Sequence, residues 1–142
     1  MRKAREEDLS FCLGLARENM KAYYVVHGLT WDDERYQQEF SPDITFIVEI
    51  KGERIGYFRI LDKAEGWYLS DVQLLSTHTG QGIGRALLTH IDEWVLARQG
   101  TTVTLRVFSD NPAVRLYKRT GYKVIGEERN RLVMRKQLVR AL

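Results

Sequence analysis

Gly80, Gly82 and Gly84 alternate within the run Thr79-Gly80-Gln81-Gly82-Ile83-Gly84-Arg85. The stretch ahead of them, Trp67 to Leu75, reads as a strand, and behind them Leu87, Leu88, Ile91, Trp94 and Val95 recur at helical spacing. A glycine turn between strand and helix frees the N–H groups of the first helical turn, which have no acceptor within the helix, at the positive end of the helix dipole. That is chemistry suited to phosphate, and missing side chains let phosphate oxygens approach the main chain closely. Taken alone, the same glycines serve a tight helix–sheet junction equally well. A nucleotide-hydrolysing P-loop needs Lys and then Ser or Thr after its last glycine, whereas Gly84 is followed by Arg85 and Ala86. A dinucleotide fingerprint counted from Gly80 and Gly82 needs glycine at position 85, which is Arg85.

What remains, Gln81-Gly82-Ile83-Gly84-Arg85-Ala86-Leu87-Leu88 behind the strand Leu69 to Leu74, resembles the pyrophosphate-binding motif of the GNAT acetyltransferase superfamily. That motif runs Gln or Arg, two residues, Gly, one residue, then Gly or Ala. Gly82 and Gly84 match it, and Thr79 departs from it at the first position. The departure removes a long polar side chain but leaves the main-chain amides of Gln81, Gly82, Ile83, Gly84 and Arg85. A second stretch, Leu105 to Tyr122, is similar to the family's other signature: an Asn near a helix start, Ala113, the pair Leu116-Tyr117, then Gly121-Tyr122. The resemblance covers nearly the whole chain and is most specific from Leu69 to Tyr122.

The resemblance implies an acetyl-CoA-dependent N-acyltransferase in which a primary amine attacks the thioester directly within a ternary complex. Thr79, Gly80, Gln81, Gly82, Ile83, Gly84 and Arg85 would hold the cofactor diphosphate, and Asn111 the pantetheine arm. Asp110 competes for that last role, and either residue could instead cap the helix. Tyr117 would donate a proton to the departing thiolate, a task open to a phenol whose ordinary pKa is about 10. The backbone N–H of Leu74 would face the thioester oxygen, leaving its side chain incidental. An alkylamine of pKa about 10 must lose a proton before it attacks, and Asp71 is the nearest candidate base. Gln73, on the same strand face, cannot usefully accept that proton. Tyr23, His27 and Trp31, with Asp32, Asp33 and Glu34 nearby, would meet the acceptor amine, although a packed helical pair with a solvated charged face accounts for them too. The rival reading is a non-catalytic acyl-CoA-binding regulatory domain.

Positioning these groups takes an ordered set of elements. Leu9, Cys12, Leu13, Leu15 and Ala16 form an apolar face behind Asp8 and predict a first helix reaching toward Tyr23. Thr30 ahead of Asp33 and Glu34 suggests the cap of a second, short helix that ends before Pro42. Thr45 to Ile50 and Arg54 to Leu61 predict a hairpin about Lys51-Gly52-Glu53. Gly100 closes the helix behind the glycine turn, and Thr102 to Phe108 follows as a buried strand. A helix through Tyr117 and strands near Tyr122 to Glu128 and Arg131 to Leu138 complete the order. With Arg2 to Ala4 as an opening strand, this is an α/β chain with a mixed sheet of six to seven strands and about four helices. The resemblance makes it a single GNAT-like domain over residues 1–142.

Composition narrows the partners. Basic and acidic residues, 22 and 19 for a net charge of +3, are scattered together. Arg129, Arg131, Arg135, Lys136 and Arg140 are mixed into a terminal strand, not set out as a basic stripe, so no nucleic acid is expected. His27, His78 and His90 lack ligand spacing, so no metal is expected. Cys12 can close no internal disulfide and suits a reducing cytoplasm. Arg2, Lys3 and Arg5 run into Glu6, Glu7 and Asp8 where a signal peptide needs apolar residues, and no membrane partner is expected. The expected partner is an amine on a small molecule or peptide, and a homodimer stays open.

Overall fold

The computed structural model describes residues 1–139, so Arg140 of the terminal basic residues lies outside the described part. In chain order its elements are β1 (Arg2–Lys3), α1 (Leu9–Val26), α2 (Asp33–Glu39), β2 (Thr45–Ile50), β3 (Glu53–Lys63), β4 (Gly66–Leu74), α3 (Ile83–Leu96), β5 (Thr102–Phe108), α4 (Ala113–Arg119), β6 (Lys123–Glu128) and β7 (Arg131–Gln137). The strands make a seven-stranded sheet of order β1-β2-β3-β4-β5-β7-β6. β4 and β5 run parallel while the pairs β1–β2, β2–β3, β5–β7 and β7–β6 are antiparallel, so the sheet is mixed, as predicted. The opening strand is real but short, pairing Arg2 with Ile47 and Lys3 with Phe46. The chain divides into two compact units, Met1–Ile60 with Asp71–His78, and Leu61–Ser70 with the chain from Thr79 onward.

In the first unit, α1 buries Cys12, Leu13, Leu15 and Ala16, the apolar face that the spacing predicts. Ala4, Cys12, Leu15, Ala16, Ile47 and Tyr57 form one buried cluster, lined by Phe11, Trp31, Tyr36, Phe40 and Leu75. Burial pushes the Cys12 thiol up to about 12, so it is an inert hydrophobe. The cap of α2 differs from expectation. Asp32, immediately before the helix, accepts from the Arg35 N–H at 3.2 Å, while Thr30 stands too far outside to reach that turn. The β2–β3 hairpin turns on Lys51 and Gly52, both with left-handed φ (52° and 80°), which two-residue hairpins require.

Asp8 does more than open a helix. Its carboxylate is 1 % exposed and accepts from Arg2 at 2.8 and 3.1 Å, from the Arg5 N–H at 2.8 Å and from Arg54 at 3.2 Å. The Arg2 guanidinium, with the Arg5 amide and Arg54, holds its pKa down at about 2 against burial, which opposes ionisation. A depressed carboxylate contributes stability above its unfolded pKa of about 4 and loses it as pH falls toward 2. Asp8→Asn is therefore expected to lower unfolding free energy by roughly 2 kcal/mol at pH 7. In urea melts the gap from wild type should narrow as pH falls through about 4 and close only below about 2, and a gap independent of pH would refute this account.

In the second unit, α3 buries Leu87, Leu88, Ile91 and Val95, and β5 buries Val103, Leu105, Val107 and Phe108. Gly100 does not supply the left-handed residue after α3; Gln99 does, with φ 64°. Gly100 is needed for space instead, because a Cβ there would lie 2.6 Å from Trp67 Cδ1. Trp67 and Trp94 meet edge to face at 5.0 Å beside it.

Candidate active site

The glycine turn occupies residues 79–82, after a 3₁₀ turn at Ser76–His78, and α3 begins at Ile83. Gly82 is the N-cap in left-handed conformation (φ 77°) with no side-chain cap, and Gly80 is left-handed too (φ 75°). A Cβ built on either would meet nothing within 4 Å, so it is the positive φ that calls for glycine here. Ala86 N–H donates to the Gly82 carbonyl at 3.1 Å as the first bond of α3, and the N–H groups of Ile83, Gly84 and Arg85 precede it in the helix's first turn, where no intrahelical acceptor is available. An exposed glycine turn at a helix N-terminus is a good seat for a diphosphate.

The same unit carries Tyr117 on α4. Its ring is buried, 9 % exposed, and packs edge-on against Tyr122 at 5.6 Å. Asn111 is used locally, since its Oδ1 accepts from the Ala113 N–H at 2.9 Å at the start of α4. Its oxygen thus closes a local turn just ahead of α4, whose N-cap is Pro112. Glu128, at the end of β6, is paired to Arg106 at 2.7 and 3.2 Å.

The first unit holds the candidate base. Asp71 Oδ2 accepts from the Tyr57 hydroxyl at 2.5 Å and Oδ1 from Gln73 Nε2 at 2.8 Å. Tyr57 in turn accepts from the Tyr36 hydroxyl at 2.9 Å. Burial raises the Asp71 pKa, and the bonds from Tyr57 and Gln73 and the charge of Arg59 only partly offset it. Asn19 on α1 donates from Nδ2 to Gln73 Oε1 at 3.1 Å and to the Leu74 carbonyl at 2.9 Å. The Leu75 N–H donates to Ile55 O at 2.8 Å, so the peptide unit after Leu74 is held at both ends. The Leu74 side chain is not a bystander. A Cβ on Gly56 would collide with the Gln73 carbonyl oxygen and stand 2.7 Å from Leu74 Cδ2.

Of the expected acceptor residues, Trp31 packs against Tyr24 and Tyr36 at ring distances of 5.3 and 5.8 Å, and its Nε1–H donates to Asp33 at 2.7 Å. Asp33 also accepts from Arg17 at 2.6 Å. Asp32 and Asp33 thus hold surface contacts with their own helix and neighbours, and Tyr23 and His27 are half-buried at the end of α1. Sequence reasoning missed Asn19, Tyr36 and Tyr57 as polar partners and set Gln73 aside because it takes no proton; its contribution is to donate. Among the described residues no His, Cys, Asp or Glu side chains group in threes to hold a metal, and no helix is long and apolar enough to cross a membrane.

The model of the acetyltransferase (GNAT) family matches residues 13–122. The chain belongs to that family. No curated protein sequence matches it. Among solved structures, a PaiA N-acetyltransferase from Thermoplasma acidophilum in complex with coenzyme A superposes with a TM-score of 0.79 at 21 % identity, covering 96 % of each chain. A ribosomal-protein-alanine N-acetyltransferase from Brucella melitensis gives 0.73 at 21 % identity over 96 % of this chain and 98 % of its own. N-acetylglutamate synthase from Neisseria gonorrhoeae, complexed with coenzyme A and N-acetyl-glutamate, gives 0.78 at 17 % identity over 98 % of this chain and 35 % of its own. At these identities the superpositions establish the GNAT fold. Family membership makes the chain an acetyltransferase with acetyl-CoA as its acyl donor.

Proposed function

We propose that residues 1–142 act as one cytoplasmic N-acetyltransferase domain that moves an acetyl group to the primary amine of a small molecule or peptide by direct attack in a ternary complex. The exposed glycine turn before α3 carries this reading, because it ends on a left-handed glycine cap behind which the first-turn amides of a helix are offered to a diphosphate. The amides from Gln81 to Arg85 hold the diphosphate, with Thr79 and Gly80 shaping the entry to the turn. Asn111, its Oδ1 committed to the helix, has its amide N–H groups to offer the pantetheine arm. Acetyl-CoA supplies the acetyl group as an activated thioester. The Leu74 N–H stabilises negative charge developing on the acyl oxygen, a contribution of about 3 kcal/mol. Asp71 takes the proton that the amine must shed, and its raised pKa makes it a better base than an exposed carboxylate. Tyr117 gives a proton to the departing thiolate. Trp31, with Tyr23 and His27, borders the acceptor, and the cationic amine meets their aromatic faces.

The test is release of free thiol from acetyl-CoA with a panel of amines: spermidine, tobramycin, Nα-acetyl-lysine amide, glutamate and a peptide beginning with alanine. Amine-dependent release with at least one of them is expected. Tight acetyl-CoA binding with no release above solvent hydrolysis for any would favour the non-catalytic acyl-CoA-binding domain.

A further inference from the structure

Two hydrogen-bond chains in the first unit both donate toward one carboxylate and end on its two oxygens. Asn19 donates to Gln73, which donates to Asp71 Oδ1, while Tyr36 donates to Tyr57, which donates to Asp71 Oδ2. The chains differ in one chemical respect. An amide cannot reverse its polarity: if Gln73 turned over, its oxygen would face the Asp71 carboxylate and its NH₂ would face that of Asn19. Asn19 is fixed in turn, because the same NH₂ also serves the Leu74 carbonyl. A phenol can reverse, since each hydroxyl both donates and accepts.

We propose that Tyr36 and Tyr57 form a reversible proton relay that delivers the acceptor's proton to Asp71 Oδ2, while Asn19 and Gln73 lock Oδ1 as a pure acceptor. The inference rests on Asp71 being the base. The step balances without a charged tyrosine. The ammonium N–H bond breaks as its proton bonds to the Tyr36 oxygen, the Tyr36 proton passes to the Tyr57 oxygen, and the Tyr57 proton passes to Asp71 Oδ2. Asp71 ends as a neutral acid donating to Tyr57, which now donates to Tyr36. Tyr36 is half-buried at the outer end of this line and Tyr57 is fully buried within it, so Tyr36 is where a substrate can enter. The other charged or titratable groups that act on this site are Cys12 of α1 and Arg59 of β3. The thiol stays neutral through the carboxylate range.

The relay can be read without any acceptor. In protein labelled at Asp Cγ and Tyr Cζ with ¹³C, and assigned with Asp71→Asn, Tyr36→Phe and Tyr57→Phe, both tyrosine resonances should titrate with the Asp71 midpoint, because reversal changes each hydroxyl's partner. In Tyr57→Phe the Tyr36 resonance should become flat across that range and the Asp71 midpoint should rise by about one unit, a tenfold change, since a donor to the ionised form is gone. Should that variant fail to fold, Tyr36→Phe serves, and Tyr57 should still titrate with Asp71. A Tyr36 resonance that stays flat in the wild type while Asp71 titrates overturns the relay. With the panel amine that turns over fastest, Tyr36→Phe should lower kcat at least tenfold without moving the Asp71 midpoint, which a purely structural role would not do. Wild-type turnover in Asp71→Asn would instead remove the base reading itself.

Discussion

The Gly82→Val protein is expected to keep its circular dichroism spectrum and to lose acetyl-CoA affinity by about 100-fold or more in calorimetry, equivalent to ~2.7 kcal/mol. A β-carbon there would meet no protein atom within 4 Å, so the fold has room for it. The added side chain would stand on the turn proposed to hold the diphosphate, and it would strain a backbone at φ 77°. A matched control separates these effects. Gly52 has φ 80° and equally open surroundings in the β2–β3 turn, so Gly52→Val imposes the same backbone cost away from the cradle. It should bind acetyl-CoA as the wild type does. Equal losses in both variants would mean that strain, not occupation of the cradle, is responsible.

Tyr117→Phe should lower kcat about 100-fold while acetyl-CoA affinity changes less than about threefold, the pattern of a lost proton donor. The phenylalanine ring keeps the edge-on contact with Tyr122, so packing is preserved. Tyr122 provides the comparison. Its hydroxyl is buried with no hydrogen-bond partner among the described residues, and removing it deletes the same atom beside the same ring. Tyr122→Phe should leave kcat unchanged and stability equal or higher, because a desolvated hydroxyl with no partner is a cost to the folded state. If Tyr117→Phe turns over at the wild-type rate, leaving-group protonation must come from elsewhere.

The order of elements was legible because it is written in local patterns. The α1 face at Cys12, Leu15 and Ala16, the alternation along β5 and the glycines before α3 each need only neighbours in sequence to be read. Two boundaries moved for equally local reasons: Asp32 outcompetes Thr30 for the α2 cap, and Gln99 takes the left-handed turn expected of Gly100. The cradle at Gly82 could be named from its residues and the family resemblance. The surroundings of Asp71 could not, because Tyr36, Tyr57 and Asn19 come from three elements and no periodicity links them to β4. A buried tyrosine in a strand looks like any core aromatic until its hydroxyl is placed. Gln73 was misjudged because acid–base reasoning asks which groups take protons, whereas holding a carboxylate requires groups that give hydrogen bonds.

Gly56 sets a boundary on how this enzyme can diverge. A methyl group at that position would press on the Leu74 side chain and also on the carbonyl oxygen of Gln73, and the main chain cannot swing aside. Libraries aimed at new acceptors should therefore leave it constant and spend their diversity on Tyr24, Trp31 and the exposed residues between α1 and α2, where replacement disturbs side-chain contacts and leaves the main chain alone.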